Sequence, residues 1–250
     1  MKLRAMYCGV GLAVGMGVTA PAVAGSDVTL LFDDFTGGYA HVAGHGWGGA
    51  GAFDTDQISG GGGLAESLLT FCIEVPQNIH LDKAYHYNLT QLANAPNPGS
   101  PDSWQAMGSV KQDRLERWFG AHYDNLGGDA IGLWQADEAL AFQAGIWEIV
   151  REDTLAGYSV TSGAFAITAY KSRGFGAWPS GLQNPLTLAD AWLAAMDWND
   201  PEAKLLELVA FTNDTLQDHV TVVPSPTAVM AAAPMLGLLL TRRRRVTRRA

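Results

Sequence analysis

Two apolar stretches, each with its basic residues gathered on the outer side, close off the ends of this 250-residue chain and confine folding to what lies between them. The first runs from Ala5 to Ala20 behind Lys2 and Arg4, and leads to Ala22-Val23-Ala24 just before Gly25. A basic start, a short apolar run and an A-x-A site are the signature of a removable secretory signal, cut between Ala24 and Gly25. A membrane anchor fits less well, because the run is short and stops at a cleavage motif. Near the other end Pro224, Ser225 and Pro226 break the preceding structure, and an apolar run follows from Thr227 to Leu240. Its 14 residues fall short of the roughly 20 that cross a bilayer comfortably. Arg242, Arg243, Arg244 and Arg245, joined by Arg248 and Arg249, would hold the C-terminus on the cytoplasmic side. The chain is thus expected to comprise a signal peptide at 1–24, an exported domain at 25–220 and a tail with a short hydrophobic helix at 221–250.

Charge supports that division. The net charge is −9, but eight of the 16 basic residues lie in the two tails, leaving eight against all 25 acidic residues and a central charge of −17. Such a surface repels nucleic acid and anionic headgroups, so the Arg block is a separate device and not a nucleic-acid patch. Charged residues are only 16% of the chain, below the roughly 25% usual in soluble domains. With Cys8 in the signal, the mature protein keeps one cysteine, Cys72, and an unpaired thiol in an oxidising compartment calls for an explanation.

Between the tails, 26–71 reads as strands and turns. Eleven of the 27 residues from Gly37 to Gly63 are glycine, interrupted by Tyr39, Trp47 and Phe53. Gly44–Gly49 has the look of a phosphate loop, but such a loop needs a helix directly after it; hairpin and loop chemistry fits better. Asp54 and Asp56 read as solvated turn acids, without the rest of a calcium loop. Leu64–Val75 has the content of a buried strand. Helical character begins near Ser103 and runs past Trp118, and the strongest helix spans Gln135–Glu152, with Leu140, Ala144, Trp147 and Val150 as its apolar stripe and Asp137 and Glu138 near its start. Glu148 and Glu152, four apart, read as a solvated face. Thr187 is the expected N-cap of a further short helix, and Leu205–Val209 and His219–Val223 are expected closing strands. The fold class expected is α+β: one β-rich sandwich or barrel-like domain with two or three inserted helices.

Two resemblances add function. Val223-Pro224-Ser225-Pro226, a small-residue and leucine-rich run and a terminal arginine block resemble the PEP-CTERM sorting signal, with Ser225 where the family usually has Glu. That resemblance implies processing by an exosortase-like membrane enzyme and transient inner-membrane contact. It further implies delivery to the cell surface or the extracellular matrix. Within the domain, Thr70-Phe71-Cys72-Ile73-Glu74 and Ala141-Phe142-Gln143-Ala144-Gly145-Ile146-Trp147-Glu148 resemble the two signatures of bacterial surface thioester domains. Phe142 stands where that family has Thr, and Gly145 where it has Ala. Similar F-C-[IV]-E and F-Q-x-A-I-W-E segments occur in exported proteins with PEP-CTERM-like tails. The resemblance implies that Cys72 supplies the sulfur and Gln143 the acyl carbon of an internal thioester, shielded from water by Phe142 and Trp147.

Other chemistry is weaker. Cys72 could pair with His80, His86 or His122 in a hydrolase dyad, yet no local signature surrounds it. No G-x-S-x-G elbow occurs. His41 and His45 lack partners at metal-ligand spacing and read as loop histidines. The expectation is an exported, non-enzymatic surface or matrix protein without cofactor or metal, adhesive through Cys72–Gln143 toward exopolysaccharide or surface-protein amines. The alternatives are a carbohydrate-binding matrix module that uses exposed Trp and Tyr, or an envelope hydrolase.

Overall fold

A glycine-rich segment becomes strand where its partner strand supplies the hydrogen bonds that its own side chains cannot encourage. In the computed structural model of this protein, which describes residues 26–61, 64–75, 77–99, 105–123, 136–152, 157–172, 184–203 and 205–223, this produces a long hairpin. β1 (Ser26–Val42) and β2 (Gly46–Gly60) pair antiparallel from Val28↔Gly60 to Val42↔Gly46. Only 43–45 forms a turn, so most of the stretch expected as loop is ladder. Asp54 and Asp56 lie in β2 and His41 lies in β1, which corrects their assignment to turns and loops. Gly37 and Gly51 face each other in the register, and a side chain on either would run into the opposing backbone. Glycine is obligatory at that pinch.

The remaining strands are β3 (Ser67–Cys72), β4 (Lys83–Gln91), β5 (Ile167–Ser172), β6 (Leu208–Thr212) and β7 (His219–Val222). The order β1-β2-β3-β7-β6-β4 returns to β1, closing a six-stranded antiparallel barrel. β4 takes the first half of β1 and β5 the second half, so β5 flanks the ring rather than completing it. The fold is therefore α+β and β-rich, a barrel rather than a sandwich. Closure leaves no free edge in the ring. Phe32, Phe53, Tyr87 and Phe211 are buried inside it, in ring contact with His219 or with one another.

Three α-helices interrupt the strands among the described residues. α1 (Gly108–His122) begins later than the expected Ser103 region: 105–107 is non-helical, and Ala106 bridges to Pro96. α2 (Ala136–Arg151) packs on β1 and β2, where the small buried residues Ala40, Ala50 and Ala52 let a helix lie close. Every residue of α2 from Ala139 to Val150 is buried, so it is a core helix and not an amphipathic one. α3 (Pro185–Ala195) is capped by Asn184, whose Oδ1 accepts from the N–H groups of Leu186 (3.0 Å) and Thr187 (3.3 Å). Thr187 is therefore within the helix, and the Asn-Pro pair before it is the start signal. No helix among the described residues is long and apolar enough to cross a membrane. Ala24, Gly25, the Pro224–Pro226 motif, the C-terminal apolar run and Arg242–Arg245 lie outside the described residues.

Candidate functional site

β3 loses its neighbour at the residue that matters most. The β2–β3 ladder runs from Asp56↔Ser67 to Phe53↔Thr70 and stops. Backbone groups of successive strand residues point to opposite sides. The Ile73 N–H donates to the Asp218 carbonyl beside β7 (2.9 Å), so the Cys72 peptide groups face the vacated side. Gln143, from α2, occupies that side. The Cys72 N–H donates to Gln143 Oε1 (2.9 Å), and Gln143 Nε2 donates to the Cys72 carbonyl (2.7 Å). The carboxamide thus acts as one rung of strand, and this pairing fixes which end of the amide is oxygen. Both residues are fully buried.

Sequence-distant groups complete the surroundings. His219 stands directly opposite Cys72 in the β3–β7 register, which puts the two side chains on one face at cross-strand contact range. Its Nδ1 is 3.3 Å from Thr70 Oγ1, which in turn is 3.0 Å from Thr55 Oγ1. Its Nε2, like the Tyr87 hydroxyl, is buried without a hydrogen-bond partner. Burial drives the His219 pKa down to about 3, so the imidazole is neutral. Burial, with a smaller push from Glu74, holds the Cys72 thiol well above its ordinary range, so it is protonated. Asp218 is raised to about 8, first by burial and then by Glu74. Glu74 itself is raised by burial against the opposing pull of Arg151.

On the other face of β3, Phe71 packs on Phe142 and Phe119, with ring centroids 4.9 and 5.6 Å away. Trp118 stacks on Phe142 (5.6 Å) and donates its indole N–H to the Phe142 carbonyl (3.2 Å). Trp147, one turn beyond Gln143, is buried against Phe165. The Phe142 cluster also accounts for the glycine in the middle of α2. Gly145 lies under the Trp118 indole, and a methyl group there would collide with it.

The other sequence-derived residues are dispersed. His80 is exposed, His86 bonds Thr29 (2.9 Å), and His122 stacks on Trp192 at 4.7 Å with its pKa lowered to about 4 by burial. None of the three shares a hydrogen bond or ring contact with Cys72. His41 bonds Thr168 (2.7 Å) and packs on Trp47, while His45 is exposed in the turn. Among the described residues no group of three His, Cys, Asp or Glu side chains is placed to hold a metal ion. Glu148 and Glu152 are not a solvated face. Glu148 is 1% exposed and accepts from the Ser159 N–H (2.8 Å), and Glu152 accepts from the Ala164 and Phe165 N–H groups. The loop over α2 needs acceptors for its amides, and these carboxylates supply them. Burial raises Glu148 to about 8.

Compared with family models, with curated proteins and with solved structures, the chain matches none.

Proposed function

We propose that this is an exported surface or matrix protein, sorted through its C-terminal tail by an exosortase-like enzyme, whose barrel carries an internal Cys72–Gln143 thioester for covalent attachment. The observation that supports this reading is the reciprocal pair of hydrogen bonds between the Gln143 carboxamide and the Cys72 peptide. It holds the acyl carbon beside the residue that bears the sulfur. The Cys72 N–H on Oε1 polarises the carboxamide toward attack, as an oxyanion-hole donor does.

In the bond-forming step Cys72 Sγ attacks Gln143 Cδ. The thiol proton leaves, the C–N bond breaks, and the carboxamide nitrogen departs as ammonia, leaving Sγ–Cδ(=O). His219 is assigned the proton: it takes it from sulfur and returns it to the leaving nitrogen. Burial disfavours thiolate and imidazolium alike, so transfer accompanies attack rather than preceding it. The sealed aromatic surroundings keep water from the product. A partner hydroxyl or amine then adds at Cδ and restores the thiol, leaving an ester or amide on residue 143. The acyl group is used once, so the protein is a coupling reagent and not a catalyst.

The intact mass of the secreted domain tests this. Formation removes ammonia, about 17 Da, and Cys72→Ala or Gln143→Ala abolishes that deficit. A full-mass wild-type domain whose Cys72 is alkylated stoichiometrically after unfolding overturns the proposal. His219→Gln should slow appearance of the deficit while circular dichroism remains that of the wild type. Unchanged kinetics would remove His219 from the step.

A further inference from the structure

A second site lies at the mouth of the barrel. The face of the β1–β2 hairpin that carries Phe53 inside the ring continues outward through Phe35 and Tyr39 to Trp47. With Asn78 and Gln217 these residues line a cleft of about 210 Å³.

Two features separate this cleft from ordinary surface. Trp47 is 48% exposed yet held in place: the His41 ring packs on it at 5.4 Å, and the Lys171 ammonium sits 4.6 Å from its centroid and 5.4 Å from that of Tyr39. An exposed aromatic ring held by a cation and a second ring is a prepared platform. The other feature is Gly49, paired with Tyr39 in the middle of the ladder. Its backbone is not left-handed, and the atoms nearest a Cβ there would be those of the Phe35 and Phe53 rings, at ordinary contact distances of 3.7–3.9 Å. Neither backbone nor packing requires glycine, and glycine within a strand is destabilising by about 0.5–1 kcal/mol. What it does is leave cleft volume beside Tyr39 that a side chain would fill. A strand glycine marks a bulge, a bend, or close approach by another backbone or a ligand; Gly49 sits in a regular stretch of the ladder and meets no backbone, which leaves the ligand.

The chemistry of the lining narrows the ligand. It has flat aromatic faces, two aliphatic side chains (Ile79 and Leu81), two side-chain amides and no ionised group. Gln217 is anchored by its Nε2 bond to the Glu74 carbonyl (2.7 Å). A wholly apolar ligand would leave the amide oxygens and the Asn78 N–H groups unsatisfied, and the single cation nearby, Lys171, is already engaged by the Trp47 and Tyr39 rings, so an anion would chiefly meet an acidic domain. A ring with apolar C–H faces and hydroxyl edges satisfies both parts. We propose that this cleft binds an uncharged pyranose unit of a polysaccharide, stacked on Trp47 and Tyr39, without covalent bond formation.

The proposal does not depend on the thioester, and the test keeps them apart by using the full domain with Cys72→Ser, which cannot form one. Isothermal titration with cellohexaose, maltohexaose and chitohexaose should show saturable binding of at least one neutral series, and none of oligogalacturonate. Trp47→Ala and Gly49→Val should each weaken that binding at least about tenfold, a loss of one stacking contact or its space. Gly49→Val should not lower the melting temperature, which excludes unfolding as the cause. Absence of binding in all neutral series, preference for the uronate, or affinity unchanged in both variants overturns the proposal.

Discussion

Removing Gln143 and removing Cys72 should have different consequences for stability. In a protein without the cross-link, Gln143→Ala strands a buried N–H and a buried C=O of Cys72, each worth about 1–3 kcal/mol when unpaired. Chemical denaturation should therefore show a loss of about 2–6 kcal/mol. Cys72→Ser keeps both backbone bonds, so in a protein without the cross-link it should stay within about 1 kcal/mol of wild type, its hydroxyl having Thr70 and His219 nearby. A much larger loss on Cys72→Ser alone marks the covalent bond. The Cys72–Gln143 pairing was legible in the sequence only through two short motifs. His219 was not legible, because nothing local distinguishes a histidine that starts a closing strand. Its place opposite Cys72 comes from a register that only the closed barrel sets. Glu148 was misread for a related reason: a four-residue acidic spacing says nothing about a loop folding over it with amides to satisfy.

At the scale of the elements, α2 makes the sharpest prediction. Gly→Ala in a helix interior ordinarily stabilises by about 1 kcal/mol. At Gly145 the Trp118 indole occupies the space, and overpacking of this kind costs about 1–3 kcal/mol. Gly145→Ala should thus lower the melting temperature despite its better propensity. Trp118→Leu should remove the penalty in a double-mutant cycle. At α3, Asn184→Ala removes the acceptor for two amides and should lower stability by about 1 kcal/mol in denaturant titration. The helices were found from sequence because apolar periodicity survives in them, although α2 proved buried all round. The β1–β2 hairpin was partly hidden, since glycine reads as loop wherever strand pairing is not known in advance. Close backbone approach explains the glycines at 37 and 51, whereas the one at 49 meets no backbone and keeps a side chain out of the cleft.

For the whole molecule, the buried titratable groups predict how stability follows pH. Glu148 and Asp218 rise to about 8 from ordinary values of 4.5 and 3.8, so the folded state binds more protons than the unfolded state between those limits. Stability from these two groups falls as pH rises through that window. His122 and His219 drop to about 4 and about 3 from 6.5, so there the unfolded state binds more protons, and stability rises with pH up to 6.5. The two pairs oppose each other from about 4.5 to 6.5, giving a plateau. Above 6.5 the acids act alone and stability should decline toward pH 8; below 4 the histidines do, and it should decline again. Melting temperatures across pH 3–9 check this, and a maximum near pH 8 contradicts it.

Ring closure also has an order in time. β7 joins β3 to β6 and is the last strand in the described chain. Until it docks, β3 has no neighbour on that side, His219 is absent, and the barrel wall beside Cys72 is open. While the chain folds, the thiol is therefore open to small oxidants and other thiols for as long as its final companion is still missing. The interval before the wall seals, rather than the finished fold, is when this cysteine is most easily lost to the wrong chemistry.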